Sequence, residues 1–127
     1  LDLLKVDRID HGNRALEDDA LVKRLVDEQM TLTVCPLSNL KLGGVSSLTD
    51  HPLKRMLGLG LRAMVNSDDP AYFGGYVNQN YIETATAVGL TSVEIIQLAK
   101  NSFLGSFLPE ADIARHIADI DAVSETV

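Results

Sequence analysis

An apolar run that ends in two adjacent carboxylates constrains this chain more than any other feature. Residues 61–65 form a short apolar segment typical of a buried strand, and Asn66, Ser67, Asp68 and Asp69 follow it directly. Pro70 stops the extended backbone, and a Gly-Gly pair at residues 74–75 permits a tight loop before the next helix. Because neighbouring side chains at a strand end point in different directions, the two aspartates can bind different partners in one pocket. The alternative interpretation is a solvated acidic turn, since aspartate and proline are common in turns.

The remaining pattern predicts strands that alternate with helices. Strands are expected at residues 6–9, 31–35 and 61–66, and a helix capped by Asp18 or Asp19 is expected up to about residue 29. A polar loop is predicted over residues 37–48 and a short helix over residues 52–57. Three further helices are predicted: one over residues 76–88, one capped by Thr91 or Ser92 with Glu94 placed for a capping box, and one over residues 109–122. This order indicates an α/β fold with parallel strands. Sites in such folds lie at the carboxyl ends of the strands, which is where the following candidates fall: His11, Ser38, Asn39, Asp68 and Asp69.

Composition narrows the classes of partner. The chain has 127 residues and a formal net charge of −7, which argues against binding to nucleic acid, because phosphate recognition needs a basic surface. A small neutral purine is not excluded by this charge. The single cysteine excludes an intrachain disulfide, and no apolar run approaches the length of a membrane helix. We therefore expect a cytoplasmic protein without membrane contact, and the oligomeric state stays open.

The candidate residues suit a metal centre. Zinc accepts histidine nitrogen and aspartate oxygen and leaves one position for water in catalytic sites. Asp68 is a candidate ligand, and His11 is either a second ligand or the group that orients the attacking hydroxide. His51 is predicted at the surface and His116 in a solvated or partly packed position of the last helix, so further ligands must come from outside this chain. Cys35 is expected to be a buried, unreactive residue.

Three segments together resemble the adenosine/adenine deaminase family, a group of zinc-dependent (β/α)8-barrel aminohydrolases. They are RIDHG at residues 8–12, CPLSN at residues 35–39 and NSDDP at residues 66–70. The following AYFGGY at residues 71–76 looks most like the adenine deaminase branch. The resemblance implies that Asp68 ligates zinc, that Asp69 hydrogen-bonds the N7 edge of the purine, and that His11 positions the zinc-bound hydroxide for attack on C6. It also implies one Zn²⁺ per subunit.

The resemblance covers only part of the family's pattern. The paired histidine ligands, a third histidine ligand and the proton-donating glutamate of the family have no counterpart here. The fold expected from the resemblance is therefore the C-terminal part of a (β/α)8 TIM barrel, with residues 1–127 as one partial domain. The expected activity of the longer protein is hydrolysis of adenine to hypoxanthine and ammonia in purine salvage, and the chain alone is expected to be inactive. Adenosine deamination, another ring-amine hydrolysis and a non-catalytic α/β fragment remain alternatives.

Overall fold

The computed structural model describes residues 1–126, and its centre is a parallel sheet of three strands. The strands are β1 (Arg8–Asp10), β2 (Thr31–Val34) and β3 (Arg62–Val65), and they lie side by side in the order β1-β2-β3. In the register of the sheet, Ile9 lies opposite Leu32, and Leu32 lies opposite Ala63. The predicted α/β class with parallel strands is thus confirmed.

Helices connect the strands and follow the last one. Their bounds are α1 (Asp19–Asp27), α2 (Pro36–Lys41), α3 (Leu53–Gly58), α4 (Pro70–Phe73), α5 (Val77–Val88), α6 (Ser92–Leu104) and α7 (Glu110–Ser124), with 3-10 turns at Ala15–Glu17 and Leu48–Asp50. Asp18 caps α1 by accepting a hydrogen bond from the backbone N–H of Leu21 at 3.0 Å. Thr91 and Glu94 form a reciprocal capping box at the start of α6. Both caps were predicted from the sequence.

The core lies between the sheet and the helices that pack on it. Every residue of β2 is buried, which explains its continuous β-branched and apolar sequence. Fully buried leucine and methionine side chains from three helices pack on the core cluster, namely Leu25, Leu53, Met56 and Leu98. The amide of Asn101 donates a hydrogen bond of 2.7 Å to the backbone carbonyl of Ala63, which fixes α6 against β3. None of the helices in the described part of the chain is long and apolar enough to cross a bilayer.

One local prediction of secondary structure was wrong. The segment 37–48 was expected to be a loop, but its first part is the helix α2. Pro36 opens this helix, because the first helical turn does not need the missing N–H, and the side-chain oxygen of Asn80 accepts from the Leu37 N–H at 3.1 Å.

Candidate functional site

The carboxyl ends of β1 and β3 bring two predicted residues together. His11 follows β1 directly, and its backbone N–H donates to the Thr33 carbonyl oxygen at 3.0 Å. Its φ of 59° and the φ of 75° at Gly12 turn the chain sharply away from the sheet. A side chain at Gly12 would also meet Leu32 at 2.9 Å, so glycine is required there. This turn leaves the His11 ring in a cleft of about 470 Å³ at the carboxyl ends of the strands.

Asp68 reaches the same cleft from the loop after β3. Its φ is 56°, a left-handed conformation that aspartate tolerates better than most residues. Ser38 Oγ donates a hydrogen bond to Asp68 Oδ2 at 2.7 Å, and His11 Nε2 lies 3.6 Å from the same oxygen. The predicted meeting of the His11 and Asp68 side chains in one cavity is therefore confirmed. None of the described residues donates a hydrogen bond to the other carboxylate oxygen of Asp68.

Asp69 points elsewhere. Its Oδ1 accepts a hydrogen bond from the backbone N–H of Tyr72 at 3.1 Å and so caps the short helix α4. The side chain does not line the cleft that holds His11 and Asp68. The two aspartates thus have different partners, as expected for neighbours at a strand end, and the substrate-binding role of Asp69 stays a prediction.

Cys35 lines the cleft and is only 5% exposed. Its thiol donates to the backbone carbonyl of Thr33, with Sγ 3.3 Å from that oxygen. Burial raises the pKa of the Cys35 thiol to about 11, and the negative charges of Asp68 and Asp10 add to the shift. The thiol is therefore protonated near neutral pH, which agrees with the expected unreactive role.

The donor atoms at this edge fit a zinc ion. A nitrogen of His11, the sulfur of Cys35 and a carboxylate oxygen of Asp68 lie within 4.8 Å of one another. Zinc binds all three atom types, usually with four ligands. Asp68 offers a carboxylate oxygen directly, whereas Cys35 would first have to lose its proton.

His51 corrects a sequence-based prediction. It was placed at the surface, yet it is 4% exposed, and burial lowers its pKa to about 4. Its Nδ1 accepts from the backbone N–H of Leu53 at 3.2 Å, and its Nε2 lies 3.2 Å from Asn39 Oδ1. The Nδ2 atom of Asn39 in turn lies 3.3 Å from His11 Nδ1. The His-Pro pair is typical of an exposed turn, and the burial of His51 depends on the packing of the 3-10 turn Leu48–Asp50 against α2.

Other ring side chains lie outside this cluster. His116 stacks on Phe103 in the C-terminal helices, with ring centroids 4.5 Å apart, so its predicted partly packed position is confirmed. Tyr72 in α4 and Tyr76 at the start of α5 are largely exposed, while Tyr81 packs partly buried against the core.

Almost the whole of this chain is similar to known proteins. The family described as adenosine deaminase matches residues 1–123. An adenine deaminase of Caulobacter vibrioides is 70% identical over 122 residues, which are 96% of this chain and 36% of that protein. The crystal structure of an adenine deaminase from Arthrobacter aurescens superposes with a TM-score of 0.95 at 48% identity, covering 98% of this chain and 38% of that one.

A more distant structure bears on the metal. An amidohydrolase from Burkholderia ambifaria, crystallised with bound Zn, has a TM-score of 0.85 and 26% identity to this chain. The match covers 98% of this chain and 36% of that protein. The chain therefore spans about a third of the length of the relatives it matches.

Proposed function

This chain belongs to the adenosine deaminase family, and from that premise we propose that the longer protein containing it deaminates adenine hydrolytically. Water adds its oxygen to C6 of the purine, the C6–N bond breaks, and the products are hypoxanthine and ammonia. The observation that carries the proposal is the meeting of His11 and Asp68 in one cleft. The choice of adenine rests on the 70% identity to the Caulobacter vibrioides adenine deaminase.

In this proposal Asp68 holds the metal. Ser38 keeps one carboxylate oxygen of Asp68 in place through its hydrogen bond, so the other oxygen is free to bind zinc. Zinc, when bound, supplies a water molecule whose pKa is near 7. Further ligands must come from the part of the protein that precedes these strands, because the described residues near the cleft offer too few.

His11 and Asp69 act on the reactants. The His11 ring faces Asp68 across 3.6 Å, a separation that lets Nε2 orient an oxygen bound beside that carboxylate. Asp69 is proposed to accept a hydrogen bond at the N7 edge of the purine. Its Oδ1 is engaged by the Tyr72 N–H, and the Oδ2 atom receives no hydrogen bond from the described residues.

We further propose that these strands belong to a (β/α)8 barrel, with residues 1–127 forming part of that single domain. Three parallel strands in sequential order are what the end of such a barrel requires. Three strands are about a third of the eight in a barrel, and the chain likewise covers about a third of its relatives' length. Alone, the three strands do not enclose the cleft.

A chimera tests the proposal. This chain would replace the matching segment of the Caulobacter vibrioides relative, and the purified protein would be assayed for ammonia release from adenine and from adenosine beside its metal content. We expect about one zinc per subunit and a kcat/KM for adenine at least about 10²-fold above that for adenosine. A folded, zinc-loaded chimera that leaves adenine unchanged would disprove the activity. Preference for adenosine would disprove the substrate alone.

A further inference from the structure

We propose that Asn39 and His51 form a hydrogen-bond relay that fixes His11 as the tautomer with its proton on Nε2, facing Asp68. The chain of contacts runs from the Leu53 backbone through both side chains to the His11 ring. The tautomer follows from these contacts alone. Its consequence for catalysis rests on the proposed function.

The relay starts from a backbone group whose role is fixed. The Leu53 N–H can only donate, so His51 Nδ1, at 3.2 Å, must accept and carries no proton. A neutral His51 ring then carries its proton on Nε2. Burial favours this neutral ring, because it lowers the pKa of His51 to about 4.

The Asn39 amide connects the protonation of His51 to that of His11. His51 Nε2–H donates to Asn39 Oδ1 at 3.2 Å, which decides which end of the amide is oxygen. The amide nitrogen must therefore face His11, where Nδ2 lies 3.3 Å from Nδ1. An amide nitrogen only donates, so His11 Nδ1 accepts and the proton of the neutral ring lies on Nε2.

Hydrogen bonds hold the backbone of Asn39 in place. Its residue is 5% exposed, and its carbonyl oxygen accepts from Gly44 N at 2.8 Å and from Val45 N at 3.3 Å. These bonds tie the end of α2 to the loop that follows. If the side-chain amide exchanged its two ends, Nδ2 would face the His51 Nε2–H and the donor to His11 would be lost.

The relay matters because of what faces Nε2. Asp68 Oδ2 lies 3.6 Å away, so a proton on Nε2 meets a carboxylate, whereas a lone pair there would repel it. In the proposed reaction the same N–H can donate to the oxygen that attacks the purine. Asn39 and His51 are thus positioning residues that act through His11.

Nitrogen NMR of the ring atoms tests the relay without measuring activity. The chimera described above would be labelled with ¹⁵N-histidine, and the His11 signals would be assigned by their loss in His11→Gln. At about pH 8, where ordinary histidine rings are neutral, we expect a pyrrole-type shift for Nε2 and a pyridine-type shift for Nδ1. The reverse assignment in the unsubstituted chimera would overturn the relay, whether or not that protein deaminates adenine.

Asn39→Asp supplies the sharpest variant. A carboxylate of nearly the same shape accepts a proton where the amide donated, so the His11 proton should move to Nδ1. We expect the NMR assignment to reverse and kcat to fall about 10²-fold or more, since a wrong tautomer of a histidine base costs up to about 10⁴-fold in a serine protease. KM and zinc content should change little. An unchanged His11 tautomer in this variant would overturn the relay.

Two further variants complete the test. His51→Phe keeps a ring in the buried pocket but removes the donor, so Asn39 is free to turn and His11 should show a mixture of both tautomers. Asn78→Asp makes the same amide-to-carboxylate change at an exposed position of α5 and should leave the NMR signals and kcat as they are. A single Nε2–H tautomer in His51→Phe would remove His51 from the relay. A shift of the His11 signals in Asn78→Asp would mean that added charge alone explains the Asn39→Asp result.

Discussion

The cleft at the strand ends and the groove between α6 and α7 are similar in volume, about 470 and 550 Å³, but they are built differently. The strand-end cleft contains His11 and Asp68, whose backbones adopt left-handed conformations and whose side chains are held by hydrogen bonds. The helix groove is lined mainly by apolar side chains at helical spacing, such as Ile95, Ile96, Phe103, Ile120 and Val123.

This difference predicts that residues of the cleft serve catalysis and residues of the groove serve stability. In the strand-end cleft the position of each donor atom depends on bonds from other elements, so substitutions there should alter metal binding and kcat more than folding. In the helix groove the side chains contribute contact area, so substitutions there should alter the free energy of unfolding and leave kcat alone. Substitutions in the chimera, taken in decreasing order of expected effect, test that separation.

Asp68→Asn should have the largest effect. The change replaces a negative zinc ligand with a neutral amide oxygen, which weakens metal binding and raises the pKa of the metal's water. We expect a loss of bound zinc and a fall in kcat/KM of at least about 10³-fold. Metal analysis beside kinetics on adenine measures both. Asp19→Asn, an exposed aspartate in the first turn of α1, is the matched control and should behave like the unsubstituted protein.

Asp69→Asn should reduce catalysis while zinc stays bound. The amide can present N–H donors to N7, where the carboxylate only accepts, so a charge-assisted bond that forms as the ring is attacked would be lost. We expect a fall in kcat on the order of 10²-fold, with about one zinc per subunit retained. If Asp69→Asn loses zinc and Asp68→Asn keeps it, the two roles are reversed. If neither substitution affects deamination, the acidic pair is a solvated turn.

His51 should make stability depend on pH. In the unfolded chain this histidine binds a proton below about pH 6.5, whereas in the folded chain burial lowers its pKa to about 4. The unfolded state therefore holds more protons between these values, and the free energy of unfolding falls as the pH falls. From pH 8 to pH 5 we expect a loss of about 2 kcal/mol from this residue.

Denaturant unfolding of the zinc-free chimera at both pH values measures the effect. His51→Phe removes the titrating group, so its loss of stability over this range should be smaller by about 2 kcal/mol than that of the unsubstituted protein. His116→Gln serves as the control, because His116 is partly exposed and lies in α7 away from the cleft. Equal pH dependence in all three proteins would contradict the buried, neutral state of His51.

Features that depend on local sequence patterns could be predicted from the sequence. Apolar runs that alternate with helical periods predicted the parallel sheet, and the rule that sites lie at strand ends predicted that His11 and Asp68 meet. Helix caps at Asp18 and Thr91 were equally visible, because they depend on residues only three positions apart. These features need no knowledge of distant contacts.

What the sequence did not reveal depends on long-range packing. The burial of His51 arises where the 3-10 turn Leu48–Asp50 packs against α2, and the left-handed backbone at His11 accompanies its hydrogen bond to Thr33. The direction of Asp69 depends on whether residues 70–73 form a helical turn that it can cap. Each of these outcomes changes the chemistry of a site residue without leaving a local signal in the sequence.

Phe103→Ala in the helix groove should have the smallest effect on catalysis and a modest effect on stability. The Phe103 ring stacks on His116 with centroids 4.5 Å apart and an interplanar angle of 20°, and it is only partly buried in the described chain. Full burial of a phenylalanine would make its removal cost about 3–5 kcal/mol, so partial burial suggests a loss of about 1–2 kcal/mol. Because no atom of this ring lines the strand-end cleft, kcat and zinc content should remain unchanged.

Denaturant unfolding and kinetics on the same preparation measure the stability and kcat of Phe103→Ala. The control Val93→Ala, at an exposed position of α6, should change neither. A loss of kcat in Phe103→Ala as large as in Asp69→Asn would show that α6 and α7 help to position the site, and the separation between chemistry and packing would fail.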